Sequence, residues 1–133
     1  MAFYIEEMST ARQAELDRFW AKIGFTATPD WQIFAANTLA HEIVGTIAVQ
    51  MIEGDACVRG LIIDAAHKEK SHVLLLALVH AVVEARENLF VCMKKEESLF
   101  PQLGFKRIIP SYQQAKRFTD QGLSAKVIYQ HCG

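Results

Sequence analysis

The sequence contains no CxxC pair, and its three cysteines, Cys57, Cys92 and Cys132, are odd in number. That pattern argues against a disulfide framework and for free thiols in a reducing compartment. Charge of one sign is lacking too: the formal net charge is −1. A general nucleic-acid binder carries a strongly basic face, so nucleic acid is not an expected partner. No apolar run is long enough to span a bilayer, and the longest, residues 73–83, is interrupted by His80. The first seven residues hold two acids and no basic n-region, unlike a secretory leader. There is no internal repeat, low-complexity segment or linker. These lacks lead to the expectation of a cytoplasmic protein with no membrane association. His131 and Cys132 are two metal-ligand types without further partners, so no metal is expected.

The 133 residues that remain to be organised are 51% hydrophobic and 22% charged, enough for one domain, 1–133, with a genuine core. Residues 2–8 read as a strand. Ser9 or Thr10 is placed to cap a helix, on which Leu16, Phe19, Trp20 and Ile23 make one apolar face and Gly24 the stop. Residues 31–37 and 42–52 have β character, the second with period-two alternation, and residues 37–41 form the turn between them. A turn at Glu53-Gly54-Asp55 leads to a strand over 56–64. The middle of the chain is thus an antiparallel meander.

The pattern then changes. Ser71 is placed to cap a helix through about Glu84 that is apolar nearly all round and must bury most of its surface against a sheet or a partner. Leu89 to Met93 is a continuous apolar run suited to a central strand covered on both faces. Strand, long helix, strand is a βαβ crossover, so this part of the sheet is expected to be parallel. A short helix over 96–103 stops at Gly104, and residues 105–109 and 123–131 read as closing strands. Between them, residues 110–121 form a polar loop carrying Tyr112, Lys116, Arg117 and Phe118.

Two stretches within this order carry a resemblance. Leu61 to Leu75, LIIDAAHKEKSHVLL, looks like the strand-loop-helix V-x-P-x-x-(Q/R)-x-x-G-x-(G/A), and Leu99 to Phe105, LFPQLGF, is similar to Y-x-x-x-G-F. Over nearly its whole length the chain resembles the GNAT superfamily of N-acetyltransferases. The resemblance implies an α/β (α+β) fold with a mixed, mostly antiparallel sheet, a central βαβ crossover and helices on both faces. It implies acetyl-CoA as cosubstrate and an amine of unknown identity as acceptor. Ile62, Ile63, Lys68, Glu69, Lys70, Ser71, His72, Val73 and Phe100 are the expected cofactor-binding residues. In that scheme helix-start amides cradle the pyrophosphate, a general property of unpaired N–H groups and the helix dipole.

The sequence departs from the pattern in ways that bear on chemistry. Lys68 keeps the positive charge usual at its position, whereas Ser71 and Val73 replace two small residues and narrow the approach. Glu69 sets an acid beside the expected phosphates. Phe100 stands where the family frequently has a catalytic Tyr, and Phe cannot protonate a departing thiolate. No carboxylate occurs in residues 56–63 to act as base. Tyr112, in the polar loop, and Tyr129, on the last strand, are the substitutes for the acid if they reach the cleft. His67 and His72 flank the loop and are read as solvated residues at a helix start. His80 is read as a core or interface residue, and His41 as exposed in its turn. Cys57 and Cys92 are read as small buried hydrophobes. Lys94 to Glu97 is read as a solvated helix start. Beside the enzyme, two alternatives stay open. One is a non-catalytic acyl-CoA-binding regulatory domain; the other is an interaction module, a homodimer included, built on the apolar helix.

Overall fold

Nearly continuous runs of buried side chains in the central strands lay down the sheet in the computed structural model of the chain, which describes residues 2–132. The strands are β1 (Phe3–Glu7), β2 (Gln32–Thr38), β3 (Ile43–Ile52), β4 (Asp55–Ile63), β5 (Asn88–Met93), β6 (Lys106–Ile108) and β7 (Val127–Cys132). They form one sheet in the order β1-β2-β3-β4-β5-β7-β6. Every neighbouring pair is antiparallel except β4 with β5. The mixed, mostly antiparallel sheet with one parallel crossover is the architecture expected from the sequence. β7 enters between β5 and β6, so the closing hairpin places its second strand inside and its first at the edge.

Four helices cover the sheet: α1 (Gln13–Ala21), α2 (Ser71–Arg86), α3 (Leu99–Gln102) and α4 (Tyr112–Asp120). Leu16, Phe19 and Trp20 of α1 pack with Ile33, Ala35 and Ala48 on one face of the sheet. Phe118 of α4 packs on the same face with Ile52, Cys57, Phe90 and Ile128. The alternate residues Phe34, Ala36, Val49, Leu89 and Val91 face the other way, against α2 and Phe100 of α3.

Several expectations are corrected by this packing. The polar loop expected over 110–121 is largely α4, capped by the Ser111 side chain, which accepts from the Gln114 amide. The helix is held by one buried side chain, Phe118, so it has no apolar periodicity to read. Neither Ser9 nor Thr10 caps α1: a single 3-10 turn, Thr10–Arg12, precedes it, and Ser9 makes no side-chain cap. Arg12 does the anchoring, donating to Asn37 Oδ1 (2.8 Å), His41 O (2.7 Å), Glu15 and Glu6. Those bonds hold the Glu15 carboxyl below its ordinary range. Ile23 lies beyond the helix and is exposed, while Gly24 takes the left-handed conformation (φ +76) expected of the stop. The short helix is α3 alone, shorter than residues 96–103. Consequently Lys94 to Glu97 form a loop before it rather than its start. Ile109 is exposed beyond β6 rather than paired.

The α1 face contains one buried polar contact with a clear energetic consequence. Trp20 Nε1 donates to Thr46 Oγ1 at 3.0 Å, and both residues are buried. Thr46→Val keeps the shape and removes the acceptor, leaving the indole N–H unpaired. We expect a loss of about 1–3 kcal/mol in urea unfolding, with Thr46→Ser recovering most of it.

Candidate functional site

β4 and β5 are parallel neighbours that share a single residue pair, Cys57 with Phe90. Past that pair β4 continues to Ile63 and β5 to Met93 with no further pairing, so the strands part like a wedge. Two local features turn β4 away. Arg59 is one residue too many against β3, since Val58 pairs with Val49 and Gly60 with Ala48. A bulge of this kind bends its strand and raises the local twist. On β3, Gly45 lets the end of β4 close in: a Cβ there would lie 2.6 Å from Ile63 Cδ1 and 3.2 Å from the Ile62 carbonyl. Leu61 and Ile63 of β4 and Met93 of β5 remain half-buried and pack against the α2-side core.

The chain leaves β4 through a tight, well-anchored turn. The Asp64 amide donates to Val44 O at 2.8 Å, and the Asp64 carboxylate accepts from the Ala66 amide at 3.0 Å. A 3-10 segment, Ala65–Lys70, follows and breaks at His67 (φ −113, ψ 22). Ser71 is then the first residue of α2 and not its cap, and no side chain caps this helix. The Ser71 amide donates to Lys68 O of the 3-10 segment, and the dipole makes this end of α2 positive. Lys68, Glu69, His72 and Val73 are exposed here, and Lys70 and Ser71 half-buried. His67 Nδ1 is buried without a hydrogen-bond partner. The dipole and the Lys68 and Lys70 ammonium groups favour an anion, with Glu69 opposing.

The other residues read from the sequence fall at separate places. Phe100 is buried against Phe105 edge-to-face (5.7 Å) and against Tyr129 (5.4 Å). Tyr129 is also buried, and its hydroxyl accepts from the Glu97 amide at 3.0 Å, which leaves its own proton free to donate. Tyr112 opens α4 and is 81% exposed, on a different element from Tyr129. Glu96 pairs with Arg107. His80 is exposed rather than in a core, paired with Glu84 at 3.0 Å one turn on. Val73 and Leu76 also keep part of the α2 surface exposed. Burial pushes the Cys57 thiol up to about 12 and the Cys92 thiol up to about 11. Both are therefore protonated near neutral pH and unsuited to nucleophilic attack. Among the described residues no group of three or more His, Cys, Asp or Glu side chains converges to hold a metal, and no helix is long and apolar enough to cross a membrane.

One residue of this region was absent from the sequence reading. Arg59, the bulge residue, donates to Gln50 Oε1 (2.7 Å) and Gln121 O (2.6 Å) and stacks on the Trp31 ring at 5.4 Å. The legible signal was a charged residue followed by Gly60 inside an otherwise apolar strand, a mark of a bulge.

The same arrangement of strands and helices recurs in solved structures. An acetyltransferase of the GNAT family from Staphylococcus aureus Mu50 superposes with a TM-score of 0.60 at 14% identity, covering 98% of this chain and 99% of that one. The chain has the GNAT fold. The ribosomal-protein-S18-alanine N-acetyltransferase of Escherichia coli gives a TM-score of 0.62 at 10% identity, covering 98% of this chain and 94% of its own. A putative streptothricin acetyltransferase from Bacillus anthracis, solved with acetyl coenzyme A, gives 0.59 at 11% identity, covering 100% and 99%. No family model and no curated protein matches the chain. At such identities the likeness is one of GNAT architecture.

Proposed function

We propose that the protein is an acetyl-CoA-dependent N-acetyltransferase acting on an amine. The observation that carries this reading is the wedge between β4 and β5 opening beside the uncapped start of α2, with Lys68 and Lys70 beside it. A strand-like pantetheine arm suits the backbone of β4 past Cys57, which has no strand partner on the β5 side. The pyrophosphate suits the positive start of α2, from Lys68 to Val73, where the Ser71 amide is held by Lys68 O. The GNAT fold and a neighbour solved with acetyl coenzyme A support the same reading.

In this scheme acetyl-CoA supplies the acyl group. Ile62 and Ile63 flank the thioester through backbone groups, an N–H of Ile63 serving the developing oxyanion. The amine nitrogen bonds to the acyl carbon and gives up a proton to solvent, and the carbon–sulfur bond breaks to release a thiolate that takes up a proton. Phe100 cannot supply the thiol's proton, and the adjacent Tyr129 hydroxyl can. Positioning of the two reactants carries much of the acceleration, with the acid adding about 10²–10⁴-fold. Tyr129→Phe should therefore lower kcat while leaving the acetyl-CoA Kd in place.

Calorimetric titration with acetyl-CoA, alongside free CoA, tests the site itself. Micromolar binding is expected, weakened at least about fivefold in Lys68→Glu by the reversed charge near the phosphates. Absence of heat at millimolar ligand would overturn the reading. Binding without release of free CoA across an amine panel would instead support the non-catalytic alternative, which Phe100 favours.

A further inference from the structure

A cavity of about 440 Å³ lies between α1, the segment 25–31 and β2, on the sheet face that α1 covers. That size lies within the range of small-molecule sites, about 300–1,000 Å³. Its inner wall includes Leu16, Trp20 and Ile33, all buried side chains of the core. The rings form an angled aromatic surface: Trp20 meets Phe25 at 5.1 Å and 63°, and Phe25 meets Trp31 at 6.4 Å and 44°. The segment is braced, since the Trp31 amide donates to Thr28 O (3.1 Å) and Thr28 Oγ1 donates to Asp30 Oδ1 (2.6 Å). The wall is thus formed in advance of any ligand.

The cavity's charge is of one sign. Among the described residues Asp17 is the only charged one lining it, with Gln13 Nε2 donating to Asp17 Oδ1 at 2.8 Å. Aromatic faces are negative and attract cations, and Arg59 already stacks on Trp31 from the β4 side. An apolar floor selects an apolar body, and rings plus one carboxylate select a positive head. We propose that this cavity binds a small organic ammonium ion with an apolar body. The inference stands apart from acyl transfer: the Phe25 ring lies between the cavity and Gly60 of β4, whose Cβ position would be 2.6 Å from Phe25 Cε1.

The two tryptophans of the chain, Trp20 and Trp31, both line the cavity, so their fluorescence reports on it directly. The probe is benzyltrimethylammonium, which has no N–H and cannot accept an acyl group; benzyl alcohol is the neutral control and phenylacetate the anionic one. No acetyl-CoA is added, so the result is independent of the proposed enzyme activity. The expected result is a saturable change with the cation at millimolar or lower concentration, at least about fivefold tighter than benzyl alcohol, and none with phenylacetate. Asp17 is exposed, so Asp17→Asn should leave the melting temperature unchanged while bringing the cation's affinity toward that of the alcohol. Equal affinity for cation and alcohol, an unmoved affinity in Asp17→Asn, or no saturation would each overturn the proposal.

Discussion

Phe118→Ala should be among the most damaging single substitutions in the chain, costing about 3–5 kcal/mol of stability. For a domain of this size that is a fall in melting temperature of roughly 10–20 °C. Phe118 is 0% exposed, its ring lies 5.6 Å from Phe90, and it is the one buried side chain of α4. Its truncation leaves a cavity against Ile52, Cys57, Phe90 and Ile128. It also loosens the hold of α4 and the turn behind it, from which Arg117 reaches Asp55 and Gln121 O accepts from Arg59. Cys57 and Phe90 are the pair at which β4 and β5 part, so the apex of the wedge loses its support from one side. Tyr112→Ala on the exposed face of the same helix is the control and should stay within about 0.5 kcal/mol. Chemical denaturation of the two variants decides the matter. A loss for Phe118→Ala no larger than the control's would mean that α4 is not docked as described.

The contrast between α4 and α2 shows what made an element legible. α2 announces itself because Leu74, Leu75, Leu78, Val79, Val82 and Val83 recur on one face and are all buried. The expectation that most of its surface is buried left open which side meets the sheet, because hydrophobicity says nothing of that; Val73 and Leu76 sit on the side that does not. α4 offers the sequence YQQAKRFTD, in which a single anchor has no period. Its one local signal is Ser111-x-x-Gln114, a capping-box spacing with the Ser111 hydroxyl bonded as that motif requires. The long-range order of the sheet, with β7 inside β6, rests on pairing between segments far apart in sequence, and no local pattern encodes it.

The candidate site divides in the same way. Its turn-and-helix half was legible, because an anion-binding helix start is a local device and residues 64–73 contain all of it. The resemblance implies a splay of the strand at Leu61–Ile63 from the strand at Leu89–Met93, as found; its local causes, a bulge at Arg59 and a missing Cβ at Gly45 on the neighbouring strand, needed the structure. The meeting of Tyr129 with Phe100 joins β7 to α3 across 29 positions and could only be posed as a condition from the sequence.

Ser71→Asp separates folding from binding because the two should respond with opposite sign. Ser71 is the first residue of α2, where no side chain caps the helix. A carboxylate in a first turn interacts favourably with the helix dipole, by about 0.3–1 kcal/mol. The fold should therefore be unharmed or slightly stabilised, which thermal unfolding of the free protein reads. Against a bound pyrophosphate the same carboxylate is a like charge within a few ångströms. At the effective dielectric of a protein surface one unit-charge repulsion at about 4 Å amounts to roughly 4 kcal/mol before screening. Salt and solvent reduce it, and a loss of acetyl-CoA affinity on the order of 30-fold or more is the expected result. Ser71→Ala, which changes neither charge nor reach, should bind nearly as the parent does. An unchanged acetyl-CoA affinity in a folded Ser71→Asp protein would remove the start of α2 from the binding site. A melting temperature that falls along with affinity would instead show that Ser71 supports the helix start itself, and that the anion-site argument rests on the wrong residue.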